Sequence, residues 1–217
     1  MLALVFVVGV GAVLLVRAVD GGPARDDVEM AQPDPFGDPA PGDGAPDPDS
    51  VSPELEAQAE AVLRTINESE ERMLAFQQVV FESLDDDGSV GDGAARIAQE
   101  AQRTGDDLTS LRSDLRSLAG GEADGFDGLR DVRDTYAGHM EAWIAYVDAV
   151  AGSPALAAPD SSDAEGLWRD IETTGDDFVA AMDTGLPDDL PAALEDLARF
   201  IVERGFGGGG DGGGDVV

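Results

Sequence analysis

The chain has 217 residues, no cysteine and no lysine, and sets 46 acidic side chains against 13 arginines for a net charge of −33. Lack of cysteine excludes disulfides and thiolate metal sites. Lack of clustered bases excludes nucleic-acid binding, because phosphate recognition needs Lys or Arg to displace counterions. Aspartate outnumbers glutamate about two to one, which reads as a solvated, self-repelling coat of the kind kept soluble where salt screens charge.

Leu2 to Val16 contain only Leu, Ala, Val, Phe and Gly, and Arg17 closes the run. With Ala18 and Val19 the stretch approaches the roughly 20 residues that span a bilayer. Polar residues at a 3.6 period, the mark of a core helix, are missing from it. Residues 1–19 are therefore expected to meet the lipid bilayer, either as a retained anchor or as a signal segment cleaved after Val16-Arg17-Ala18. Arg17 by itself favours a cytoplasmic domain, whereas the segment that follows suits an exterior one. The expectation is a single-pass protein with an extracytoplasmic domain, or a secreted one if the segment is removed.

Residues 20–51 hold seven prolines, nine acids and little that is apolar apart from Phe36. Such a segment buries too little to offset its ordering entropy and reads as a disordered, extended stalk. Residues 205–217, nearly pure Gly and Asp after Phe206, read as a flexible tail.

Between them, residues 52–204 carry five amphipathic segments. Ser52-Pro53-Glu54 is a helix start: a capping hydroxyl, proline at the first helical position, then an acid near the positive dipole end. Leu55, Ala59, Val62, Ile66, Ser69, Met73, Phe76 and Val80 then alternate spacings of four and three, a coiled-coil-like seam flanked by Leu63. Asp85-Asp86-Asp87-Gly88 ends it. A second seam runs Ala94, Ile97, Ala101, Thr104, Leu108, Leu111, Leu115, Leu118. A third runs Phe126, Leu129, Arg133, Tyr136, Met140, Trp143, Val147, Val150. The fourth opens on Ser162-x-x-Glu165, a capping box, and continues Leu167, Ile171, Thr174, Phe178, Ala181. Leu186-Pro187 breaks it, and Leu190, Leu194, Leu197 and Ile201 mark a shorter fifth helix. Four such stripes leave water only by facing one another. The fold class is all-α: an up-and-down antiparallel four-helix bundle plus a short fifth C-terminal helix, preceded by the N-terminal transmembrane or signal helix.

Arg103-Thr104-Gly105-Asp106-Asp107-Leu108 and Thr173-Thr174-Gly175-Asp176-Asp177-Phe178 share a pattern at an offset of 70 residues. Either two duplicated hairpins or chance in an Asp- and Gly-rich chain produces this. Both threonines fall near helix midpoints, as do Ser69, Tyr136 and His139. In an up-and-down bundle midpoints share a height, so a polar core layer of Ser69, Thr104, Thr174 and Tyr136 or His139 is expected. Mid-helix Gly105 and Gly175 would leave room beside it for a small ligand; the competing reading has the hydroxyls bonded to their own helix carbonyls. His139 alone reads as a surface or boundary residue. Arg133, on the seam, either snorkels at the bundle's end or pairs with a buried acid.

Catalytic chemistry finds no foothold. One histidine with no glutamate three residues before it fails the di-iron and His-Glu-x-x-His patterns. Ser83 to Gly88 resembles an EF-hand opening, but Ala94 stands where the bidentate glutamate belongs. No catalytic residue, metal ligand or cofactor is assigned. Two functions remain: a non-catalytic, membrane-tethered extracytoplasmic module meeting an envelope protein partner, or a small-ligand or sensory bundle using Ser69, Thr104, Gly105, Tyr136, His139, Thr174 and Gly175. In general shape the latter resembles the periplasmic four-helix sensor bundles of receptors. For the former, Trp143, Tyr146 and Trp168 are the candidate exposed partner-binding patch.

Overall fold

The computed structural model describes residues 52–85, 87–119, 126–187 and 190–205. The N-terminal segment 1–19, the stalk 20–51 and the tail after residue 205 lie outside them. Among the described residues the regular structure is helical, in five α-helices: α1 Pro53–Ser83, α2 Ala94–Ser117, α3 Phe126–Gly152, α4 Glu165–Gly185 and α5 Ala192–Gly205. No described helix is long and apolar enough to cross a membrane.

Local signals set most of these ends. Ser52 Oγ accepts from the Leu55 amide at 3.2 Å, with Pro53 behind it, so α1 starts where its cap lies. The expected capping box of α4 does not form. Ser162 opens a 3-10 turn, Ser162–Ala164, and α4 begins at Glu165 without a side-chain cap. α2 ends at Ser117, and two residues on Ala119, with a positive φ of 55°, turns the chain in the left-handed manner usual for glycine.

Apolar spacing decides which faces are buried. Leu55, Ala59, Val62, Ile66, Met73 and Phe76 of α1 are buried, as are Ile97, Ala101, Leu108 and Leu115 of α2. So are Phe126, Leu129, Tyr136, Met140, Trp143, Val147 and Val150 of α3, and Ile171, Phe178 and Ala181 of α4. Together they form one core in a helical-bundle fold. α1 packs on α2, α2 on α3, and α3 on α4; α5 lies against α1. Paired contacts show the antiparallel sense of α1 with α2 and of α3 with α4. Gln58 near the start of α1 meets Ala119 after α2, and Glu82 near its end meets Arg96. Likewise His139 of α3 meets Thr174, and Tyr136 meets Phe178.

Register departs from matched midpoints. Gly105 of α2 stands against Val147 and Asp148 of α3, near that helix's C-terminal end. The chain after α2 is tied down over the first turns of α3: Arg133 Nη1 donates to the Leu118 carbonyl at 2.7 Å and Arg130 Nε to that of Ala119 at 3.3 Å. Arg133 is thus a cap on the negative end of α2, with the exposed Asp134 as its acid among the described residues. The hairpins also differ. Arg72 faces Asp107 in the first, yet Asp177, seventy residues on, sits beside Phe178, which packs on Tyr136 and not near Ala142. A register difference of about one and a half turns separates them.

At the start of α3 its backbone meets the end of α4. A Cβ on Gly128 would collide with the Gly185 carbonyl, and one on Gly185 with Gly128 and Val132. Gly138, by contrast, has open space where a Cβ would go. Gly138→Ala is therefore expected to stabilise the protein by about 0.5–1 kcal/mol through helix propensity. Gly128→Ala is expected to destabilise it by on the order of 2 kcal/mol or more, since backbone must move. Urea denaturation of both variants checks this; equal shifts would contradict the close contact.

Candidate functional site

Two polar clusters lie in the core. In the first, the Tyr136 ring, fully buried from α3, sends its hydroxyl between Ser69 and Glu70 of α1. Tyr136 Oη is 2.7 Å from Ser69 Oγ and 2.8 Å from Glu70 Oε1, to which it donates. Ser69 Oγ lies 2.8 Å from the Ile66 carbonyl of its own helix, to which it can donate. The phenol is aimed by Phe178, packed edge-on 4.7 Å away. Glu70 is only 5% exposed, and the last turn of α5 presses on it, Gly205 facing its Oε2.

Burial is the largest influence on Glu70 and pushes its carboxyl up to about 7, outweighing the Tyr136 hydrogen bond and the Arg204 charge. Burial, with the nearby Glu70 charge, likewise holds the Tyr136 hydroxyl well above its ordinary value. Near neutral pH this phenol therefore keeps its proton and can donate to Glu70.

The second cluster joins α3 to α4. Trp143 Nε1 donates to His139 Nε2 at 3.1 Å, which leaves Nδ1 as the protonated nitrogen of a neutral imidazole. His139 Nδ1 lies 3.1 Å from Thr174 Oγ1, whose hydrogen is directed to the Asp170 carbonyl at 2.8 Å. Burial brings the imidazole down to about 4, partly opposed by a hydrogen bond to the Ile171 backbone. His139 is 2% exposed and so is a core residue, not the surface or boundary residue its lone occurrence suggested. The ring next to it, Trp143, supplies the partner that makes that burial tolerable.

The seven residues of the expected polar layer do not share one height. Ser69 and Tyr136 meet, and His139 meets Thr174 about one turn along. Thr104 and Gly105 sit elsewhere, level with Val147 and Asp148, roughly 13 Å further along α3 than His139. Gly175 is buried in α4. The layer fails because α2 is displaced along α3 by the segment that Arg130 and Arg133 hold. Nor is there an exposed aromatic patch at Trp143, Tyr146 and Trp168. Trp143 and Tyr146 are buried and Trp168 half-buried. They pack on one another with centroids 4.6–5.8 Å apart, Tyr146 also lying edge-on to Phe76. Their area closes the core between α1, α3 and α4.

Glu70 is the residue that sequence reasoning passed over. It lies one heptad after buried Leu63, a position that faces inward, but it is hidden within the acidic run Glu68-Ser69-Glu70-Glu71. A groove of about 520 Å³ runs along α1 past Arg64, Asn67, Glu68, Glu71, Arg72 and Ala75; its described lining is surface, not seam. Among the described residues, no group of three or more His, Asp or Glu side chains is placed to hold a metal ion. The chain matches no protein-family model, and neither curated proteins nor solved structures show a significant match to it.

Two measurements probe these clusters. Tyr136→Phe removes the shared hydroxyl from Ser69 and from a buried carboxyl, and is expected to cost about 1–3 kcal/mol of unfolding free energy. His139 binds its proton at about 4 in the fold against 6.5 ordinarily, so its contribution is present above 6.5 and lost as pH falls through 4. Glu70 acts oppositely: its burial favours the fold below 4.5 and loses that advantage as pH rises through about 7. Denaturation in a Glu70→Gln background should therefore show stability falling as pH is lowered from 6.5 to 4, on the order of 3 kcal/mol in all. Adding His139→Gln should flatten that slope; an unchanged slope would place the titration elsewhere.

Proposed function

We propose that this protein is a non-catalytic, membrane-tethered extracytoplasmic module, an up-and-down four-helix bundle with an added fifth helix that engages a protein partner at the cell envelope. One observation carries the reading furthest: the core polar groups Ser69, Glu70, Tyr136, His139 and Thr174 are bonded to one another or to helix carbonyls. A core organised this way is a scaffold, and its surface is left to do the work. The apolar run Leu2–Val16 and the proline-rich, acidic residues 20–51 support tethering at a distance from the bilayer. The sensory or small-ligand alternative has less behind it, because Thr104 and Gly105 stand apart from the other polar residues it would use.

The test uses the full chain in its native cells. The protein is expected in the membrane fraction after carbonate washing, to be digested by protease added to intact cells, and to leave the membrane when residues 1–19 are deleted. Site-specific photo-crosslinkers on the exposed faces of α1 and α2 should yield one discrete adduct with an envelope protein. Protection from external protease, or a soluble full-length chain retained inside the cell, would overturn the proposal.

A further inference from the structure

The fifth helix is the least embedded of the five described α-helices. It is 14 residues long and buries only Leu194, Ala198 and Ile201. Its extensive packing is on α1 alone, whereas α3 packs on α2, α4 and α1. A helix of this length is marginal when it stands free, so α5 depends on its dock. At that dock lies the carboxyl of Glu70, sealed between the Tyr136 hydroxyl on Oε1 and Gly205 on Oε2.

We propose that α5 is a releasable strap whose last turn closes over Glu70, so that loss of the proton from that carboxyl loosens α5 from α1 and leaves the packing of α1 through α4 in place. The final carbonyls of a helix lack intrahelical partners and form the negative end of its dipole. Gly205, the last residue of α5, stands beside the Glu70 carboxyl, so this negative end disfavours a carboxylate there and suits a protonated carboxyl. Gly205 makes the approach possible: a Cβ there would stand 2.9 Å from Glu70 Oε2.

The charged and titratable groups around Glu70 come from three helices. α3 supplies Tyr136, which remains a neutral donor. α5 supplies Arg204, whose Nη1 lies 3.6 Å from Glu71 Oε1, so that its charge is shared with a second, exposed acid. α1 itself supplies Glu71. One shared, partly exposed guanidinium offsets the burial of Glu70 only in part, which is why its carboxyl holds a proton up to about 7. Once α5 lifts, Glu70 meets solvent and returns toward its ordinary 4.5. The docked form then carries a proton that the released form has lost, and docking weakens as pH rises.

Hydrogen exchange of the full chain at pH 6 and pH 8, corrected for intrinsic rates, tests this. Protection of amides 194–204 is expected to fall roughly tenfold between the two pH values, with α3 amides unchanged. Glu70→Gln, neutral at both, should keep α5 protected at pH 8. Equal protection of α5 at both pH values would overturn the proposal, as would loss of protection in α3 together with α5. The same pH response in Glu70→Gln would also overturn it, by assigning the titration to another group. The comparison of α5 with α3 in the unaltered protein decides the matter even if Glu70→Gln does not fold.

Discussion

Burial of α3 is the constraint from which the rest of the fold follows. It is the helix that touches α2, α4 and α1, and it places eleven side chains in the core. Aliphatic residues at Leu129, Val132, Met140, Val147 and Val150 give it a driving force worth roughly 1.5–3 kcal/mol for each side chain fully buried. The residues between them, Tyr136, His139, Trp143 and Tyr146, carry polar atoms into the same interior. Each neighbouring helix must then bring something to answer them. α1 answers with Ser69 and Glu70, and α4 with Thr174.

That exchange fixes relative positions more narrowly than apolar contact alone. An aliphatic seam slides by a heptad at modest cost, since one leucine replaces another. The Tyr136 hydroxyl, however, meets Ser69, Glu70 and the Ile66 carbonyl only in this register, and His139 likewise meets Thr174 and the Ile171 backbone. A slip of one turn would strand buried donors and acceptors, at about 1–3 kcal/mol apiece. The two clusters are thus register pins between α3 and its partners. Between about pH 4 and pH 7 Glu70 and His139 are both held neutral by burial, a protonated acid and an unprotonated base, so neither adds charge to the interior of a protein whose sequence is strongly anionic.

The helices were legible in the sequence because their seams are long and regular. Leu55 through Phe76 and Phe126 through Val150 are buried nearly as their spacing dictates. The vertical arrangement was not legible, because heptads state which face is inward and say nothing of how far one helix is slid along the next. That offset depends on Arg130 and Arg133 holding the carbonyls after α2, interactions across a turn with no periodic mark. Glu70 escaped notice for a related reason. Its inward position is visible only by counting from Leu63, and composition argues that a glutamate among glutamates faces water. Trp143 and Tyr146 mislead in the opposite direction, since large amphipathic rings serve interfaces and interiors alike.

The contacts along α3 and α4 grade from the smallest side chains to the largest. Gly128 and Gly185 bring backbone against backbone at one end, Tyr136 and Phe178 follow, and Trp143 and Trp168 face each other toward the other. Interaxial distance is set by the bulk of what lies between two helices. The glycine end is therefore where the two helices can approach most closely, and at the other end the indoles of Trp143 and Trp168 and the Tyr146 phenol fill the space between them.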